Sequence, residues 1–296
     1  MTAAEVWHEV GDGCFHRRYH SLDLGIGAVR SQDGLLVIDT RSHDGEADQL
    51  LRDLALLGGP VQIVVNTHWH YDHVFGNDRF HRQAADPQQG RVAVRPDLPV
   101  FGHWQLPELL ATYGEVVREY LIKAAVDDDP DQAKALEAVQ ITPPQWLVTE
   151  LTALDLGGRT IELRHLGAGH TGGDLVVLVP DAEVAFCGDL VEQSGPPAFG
   201  DDCYPISWAG TLQRLLGLLP EGTVVLPGHG APVDLDFVRR QADDLSRVAH
   251  LITELHATGV PVDDALAAGG AGWALPPEAL RHAVRRGYAQ LDGALT

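Results

Sequence analysis

The 296-residue chain predicts an α/β fold, on three observations. Residues 34–66 run apolar strand, amphipathic helix, apolar strand, the rhythm of helices laid on a sheet. Strand patterning returns from Leu151 in two hairpins and a further apolar run. From about Leu235 the pattern is mostly helical. Two βα-rich halves around paired sheets accommodate all three, with an N-terminal meander and C-terminal helices over about 235–296 completing one domain that spans 1–296.

Taken in order, "GLLVIDT" (Gly34–Thr40) is a buried strand that ends in a polar loop. "EADQLLRDLALLGG" (Glu46–Gly59) sets Leu50, Leu51, Leu54 and Leu57 on one face and stops at two glycines, so it reads as a helix. "VQIVVN" (Val61–Asn66) is a second buried strand. Residues 97–146 differ: Trp104–Val126 and Pro130–Gln140 are helical in pattern, and the segment reads as a helical insertion lying over something else. It serves as a lid or as a dimer contact. "LTALDLGGRTIELRHL" (Leu151–Leu166) is a hairpin turning at Gly157-Gly158, and "DLVVLVPDAEVAFCGDL" (Asp174–Leu190) is another turning at Pro180-Asp181. "GTVVLPGHG" (Gly222–Gly230) is one more strand ending in a loop.

Composition excludes several classes. With 42 acidic against 21 basic residues, the net charge is −21, which argues against nucleic acid as a partner, since phosphate contacts need clustered Lys and Arg. No apolar run approaches the ~20 residues of a membrane span. The start "MTAAEVWHEVGDG" has neither the basic residues nor the apolar core of a signal peptide, so a cytoplasmic protein is expected. Cys14, Cys187 and Cys203 are far apart and form no C-x-x-C pattern, so they are expected as small buried or semi-buried residues and not as a disulfide framework, with Cys203 a candidate to border the site.

The chemistry gathers where apolar strands end. "THWHYDH" (Thr67–His73) places His68, His70, Asp72 and His73 after Val61–Asn66. His170 follows in "GAGHTGGD", Asp189 in "FCGDL" and His229 in "LPGHG". If the sheets bring these loops to one edge, imidazoles and carboxylates converge there, a donor set that suits zinc, iron or manganese. His68 and His70 are two apart and point the same way on an extended chain, while a turn aims Asp72 and His73 elsewhere. The spacing therefore permits two metals, with Asp189 as a bridge. Two close metals hold one hydroxide between them and polarise a substrate oxygen.

H-x-H-x-D-H, followed by a lone His, an Asp and a His at strand ends, with Asp39-Thr40 upstream, resembles the metallo-β-lactamase-fold hydrolases over roughly residues 20 to 240. That resemblance implies an αββα sandwich with the metal centre at one edge of two sheets. It implies that His68, His70 and His170 hold one metal, that Asp72, His73 and His229 hold the other, and that Asp189 bridges them. Asp39 is implied as a buried support of the metal loops, and Asp72 as an aid in orienting the attacking hydroxide. Two divalent metals are implied, zinc first, with iron or manganese as alternatives.

An aspartate bridge separates this chain from the dedicated β-lactamases of the fold, which place Cys or Ser there, and aligns it with the thioesterase and lactonase branches. The lactonases place a tyrosine three residues after the bridge, where this chain has Glu192. Tyr204 stands in a later loop, and no motif ties Arg281, Arg285 or Arg286 to a substrate. Trp69, Tyr71, Trp104, Tyr113, Trp146, Tyr204 and Trp208 are candidates for an apolar substrate wall or for ordinary packing, and His103 for a place near the pocket. Thr67 and Thr171 serve either as donors to the ligands or as turn residues. The expected function is dinuclear hydrolysis of a small ester, thioester, lactone or amide through a metal-bridging hydroxide. The alternatives are β-lactamase-like activity or mononuclear iron sulfur dioxygenation. A non-catalytic metal-binding scaffold is disfavoured because every ligand position is filled.

Overall fold

The computed structural model describes residues 6–86 and 92–295. Residues 1–5, which open the N-terminal stretch read for a signal, lie outside it. A meander of β1 (His8–Gly11), β2 (Cys14–Tyr19), β3 (Leu24–Ser31) and β4 (Gly34–Ile38) leads into α1 (Asp44–Leu54) and β5 (Val61–Val65). Then come α2 (Tyr71–Val74), α3 (Asn77–Ala85), β6 (Val100–His103), α4 (Leu106–Ala125), α5 (Pro130–Glu137) and β7 (Trp146–Val148). The second half holds β8 (Leu151–Leu156), β9 (Arg159–His165), β10 (Leu175–Val179), β11 (Val184–Glu192), α6 (Pro205–Leu216), β12 (Val224–His229), α7 (Leu235–Ala257), α8 (Val262–Gly269) and α9 (Arg281–Leu291).

Side-chain alternation sorts these elements into layers. Strand side chains point to opposite faces in turn, so a strand buried on both faces feeds two cores. In β3 and β4, Ile26, Ala28, Leu35 and Val37 pack with Leu50, Leu51 and Leu54 of α1 and Phe80 of α3. Their neighbours Val29, Leu36 and Ile38 join Leu163, Val177, Phe186 and Leu226 from the second half, forming the central layer. In β10 and β11, Val176, Leu178, Ala185 and Cys187 face outward onto α6, α7 and α9 through Trp208, Leu212, Leu245, Ile252 and Val284. The order is helix, sheet, sheet, helix.

The strands run β7-β6-β5-β4-β3-β12-β11-β10-β9-β8, and the two halves meet at one pairing, His229 with Leu24. The β4-β5 and β11-β12 pairs are parallel; β5 ends just before the loop of His68 and His70, and β12 ends on His229 itself, which therefore lies in the strand and not after it. Both expected hairpins form: β8-β9 turns at Gly157 and Gly158, which hold left-handed φ of 59° and 86°, and β10-β11 turns through Pro180–Ala182.

Three further expectations need correction. Residues 97–146 are not purely helical, because β6 pairs with β5 and β7 with β6, extending the sheet before and after α4 and α5. β6 is four residues long and forms by partnership with Val64 and Val65, not by a pattern of its own. The first predicted helix stops at Leu54, ahead of its glycines, while Leu57 still packs in the core. Asp189 does not follow a strand but lies inside β11, which continues past Cys187 with irregular register because β12 still pairs beside it.

Candidate metal centre

Each candidate ligand is positioned by a local device. His68 and His70 occupy the turn after β5, and α2 begins at once, presenting Asp72 and His73 from a helical turn. Thr67 N–H and Oγ1–H both donate to Asp39, at 2.8 Å each, which ties the turn to the end of β4. Asp39 is buried and holds a left-handed φ of 68°, strained for a non-glycine residue. Gly188 takes a left-handed φ of 51° one residue before Asp189, and a Cβ there would stand 2.8 Å from Thr67 Cβ. A Cβ on Gly228 would overlap Asp189 Oδ1, so only glycine leaves that carboxylate its place.

The structure brings all seven predicted residues together. Ligand atoms of His68, His70, His170 and Asp189 lie within 4.8 Å of one another, as do those of Asp72, His73 and His229. Asp189 stands between the groups, 3.4 Å from His170 Nε2, 3.8 Å from His68 Nε2, and 3.3 Å from both His73 Nε2 and His229 Nε2. Asp72 Oδ2 is 3.4 Å from His229 Nε2 and 3.5 Å from His73 Nε2.

Every imidazole is anchored through its far nitrogen. His73 Nδ1 meets Asp39 at 2.8 Å, His68 Nδ1 meets Thr67 Oγ1 at 3.0 Å, His170 Nδ1 meets Ala198 O at 2.9 Å, and His229 Nδ1 meets Leu22 O at 2.9 Å. His70 is turned the other way, its Nε2 held by Asp202 at 3.1 Å and its Nδ1 facing inward, 2.8 Å from His170 Nε2. Such anchoring fixes the tautomer and aims the remaining lone pair.

These residues fit a metal. Buried polar atoms normally have partners, yet His68 Nε2, His73 Nε2 and Asp189 Oδ1 have no hydrogen bond and point into one space. Protons on the imidazoles partly compensate in their place. Burial opposes a charged His73, but Asp72, Asp189 and Asp39 hold it well above its ordinary value. Burial likewise opposes charge on His229, which Asp189 and Asp72 raise to about 10. Burial keeps His170 down at about 4 and, with His73, keeps His68 well below its ordinary value. Burial works against the Asp189 carboxylate, yet His73, His229, His68 and His170 hold it well below the usual range.

Asp202 escaped the sequence reading. It accepts from Trp69 Nε1 at 2.7 Å as well as holding His70. The sequence had marked its loop only for Cys203, which is buried, with its thiol raised by burial. Thr171 donates to Asp174, stabilising the His170 loop without touching a ligand. His103 is buried against Gly173 and stacks on His165, outside the cluster. Among the aromatic candidates, Trp208 is core, donating to Leu190 O, while Trp69 contacts Tyr113 of α4 and links the metal loop to the inserted helices. Tyr204 packs under Arg286, whose Nε donates to Cys203 O.

The model of the metallo-β-lactamase superfamily matches residues 26–229, and the chain belongs to that superfamily. It is a metallo-hydrolase whose His and Asp clusters suit divalent metal ions. The acyl-coenzyme A thioesterase MBLAC2 of Bos taurus is 29% identical over 251 residues, covering 77% of this chain and 83% of its own. Among solved structures, the sec-alkylsulfatase Pisa1 from Pseudomonas sp. superposes with a TM-score of 0.73 at 17% identity, over 97% of this chain and 50% of its own. A metallo-β-lactamase from Pontibacter korlensis superposes with a TM-score of 0.58 at 22% identity, over 81% of this chain and 97% of its own. Both structural likenesses establish the fold. Among the described residues, no helix is long and apolar enough to cross a membrane.

Proposed function

We propose that this chain is a dinuclear metal-dependent hydrolase of a small thioester, ester, lactone or amide, with a thioester foremost. The observation that supports it is Asp189, set between two groups of converging imidazole and carboxylate atoms, with His68 Nε2, His73 Nε2 and its own Oδ1 buried without a hydrogen bond. His68, His70 and His170 would hold one metal and Asp72, His73 and His229 the other. Two divalent transition metals, zinc first and iron or manganese as alternatives, would supply an activated water and polarise the substrate carbonyl when bound there. The protein's own residues do the rest. Asp72 lies at the centre, beside His229 and His73, and serves to orient the attacking water and accept its proton. Asp39 and Asp202 hold His73 and His70 in the required tautomers. Trp69 and Tyr113, in ring contact between the metal-ligand loop and α4, would offer an apolar surface to the substrate's carbon skeleton.

The thioester preference rests on the MBLAC2 relatives and on an aspartate, not Cys or Ser, at the bridge. The partner in this reading is a small molecule and not nucleic acid, consistent with the net charge of −21. The test is a panel of thioesters, lactones, phosphodiesters and β-lactams on metal-reconstituted protein. The largest kcat/KM is expected for a thioester. One tightly bound iron per chain with oxygen consumption and no hydrolysis would establish the dioxygenase alternative instead.

A further inference from the structure

We propose that Glu192 is an additional metal ligand of this centre, on the side of Asp189 and His229, and that it makes the two metal positions chemically unequal. This rests on the dinuclear reading above. Glu192 is the last residue of β11 and, past an irregularity in the register, pairs with His229, the last residue of β12. It is 5% exposed, and ligand atoms of Glu192, Asp189 and His229 lie within 4.8 Å of one another.

Its local bonds leave one oxygen free for a cation. Oε1 accepts from Ser194 N–H at 3.0 Å and from Ser194 Oγ–H at 2.5 Å. Among the described residues no hydrogen-bond donor reaches Oε2, and no Lys or Arg forms an ion pair with Glu192. A buried carboxylate is costly unless a cation or proton compensates it. The backbone cannot easily carry it away, since Gln241 of α7 accepts from Glu192 N–H at 3.0 Å and donates to Leu190 O at 2.8 Å. Asp189, which shares that group of ligand atoms with Glu192, has its Oδ1 without a hydrogen bond, as does His73 Nε2, 3.3 Å from that oxygen.

The donor sets then diverge. One position has three imidazoles, His68, His70 and His170, with Asp189. The other has His73 and His229 with three carboxylates, Asp72, Asp189 and Glu192. Imidazole suits zinc, copper, iron and nickel, whereas carboxylate oxygen favours harder cations such as manganese. Glu192 therefore raises affinity at the second position, and raises it more for Mn²⁺ than for Zn²⁺.

The test is a titration of metal-free protein with Zn²⁺ and, separately, with Mn²⁺, comparing wild type with Glu192→Gln. Glutamine keeps an oxygen for both Ser194 donors, so the fold is retained. Expected is an unchanged first equivalent and a second weakened by about 10- to 100-fold, the usual effect of losing a group that supports a metal, with the larger loss for Mn²⁺. Ser194→Ala, which removes the hydroxyl contact but not the ligand, is expected to leave the second equivalent within about threefold, below the range for a lost metal-supporting group. Two equivalents bound equally well by wild type and Glu192→Gln overturn the role of Glu192 alone. A wild type that binds only one equivalent overturns the dinuclear reading and this inference with it. If Glu192→Gln fails to fold, Glu192→Leu, of similar size and without a ligand oxygen, is titrated instead, and a second equivalent at wild-type affinity again refutes the proposal.

Discussion

Five histidines in this centre each spend one nitrogen on an anchor and keep the other for the shared space, so the anchors set the chemistry as much as the ligands do. Asp39 and Asp202 are the two carboxylate anchors. Asp39→Asn removes the charge that fixes the His73 tautomer, and Asp202→Asn does the same for His70. Each is expected to lower metal affinity by about 10- to 100-fold with little change in secondary structure. Metal content after dialysis against a mild chelator, with circular dichroism as control, measures this; wild-type retention would show the anchors to be dispensable. Their legibility in sequence differed. Asp39 stands in an "IDT" strand end and was anticipated, as was every one of the seven convergent residues. Asp202 lies 132 residues from its histidine, in a "DDC" loop with no strand pattern before it, and only packing brings it there.

Strand ends and the helices behind them hold these side chains in place. Gly228 lets β12 run close against Asp189 of β11, and Gly228→Ala pushes a methyl into the space of Oδ1. Overpacking of this kind costs about 1–3 kcal/mol, and here the displaced group is the proposed shared ligand, so metal content is expected to fall together with the melting temperature. Retained metal in a stable Gly228→Ala protein would speak against that packing. Behind the His170 loop, α6 supplies Trp208, fully buried, donating to Leu190 O at 3.1 Å and 5.7 Å from the His170 ring. Trp208→Ala is expected to cost about 3–5 kcal/mol by denaturant unfolding; less than ~1 kcal/mol would mean the layer does not depend on it. Hairpins, buried strands and long amphipathic helices were readable, because their apolar period is set by which faces are covered. β6 and the continuation of β11 were not, since both exist through pairing with a neighbour and carry no alternation of their own. α6 went unread although Pro205 stands at its start and Trp208, Leu212 and Leu215 are regularly spaced, because no side-chain cap marks where it begins.

Across the whole molecule, the layered sandwich pools histidines and carboxylates whose protons compete with metal. In the metal-free protein His73 and His229 have raised values, so their contribution to stability is complete below the ordinary histidine value of about 6.5. It is lost as pH rises, through about 10 for His229. Metal ligation needs neutral imidazoles and gains with rising pH. The difference in melting temperature between metal-loaded and metal-free protein is therefore expected to widen from pH 5 to pH 9, and a flat difference would contradict the shared use of these groups. The same competition predicts proton release on metal binding, visible as a buffer-dependent enthalpy. The account as a whole turns on two metals sharing Asp189. The most direct test is the metal stoichiometry of reconstituted protein, wild type beside Asp189→Ala, by elemental analysis. Two equivalents in the wild type with loss of metal and of hydrolysis in Asp189→Ala is the predicted result; one equivalent at saturation in the wild type, or full metal retention without Asp189, would contradict it.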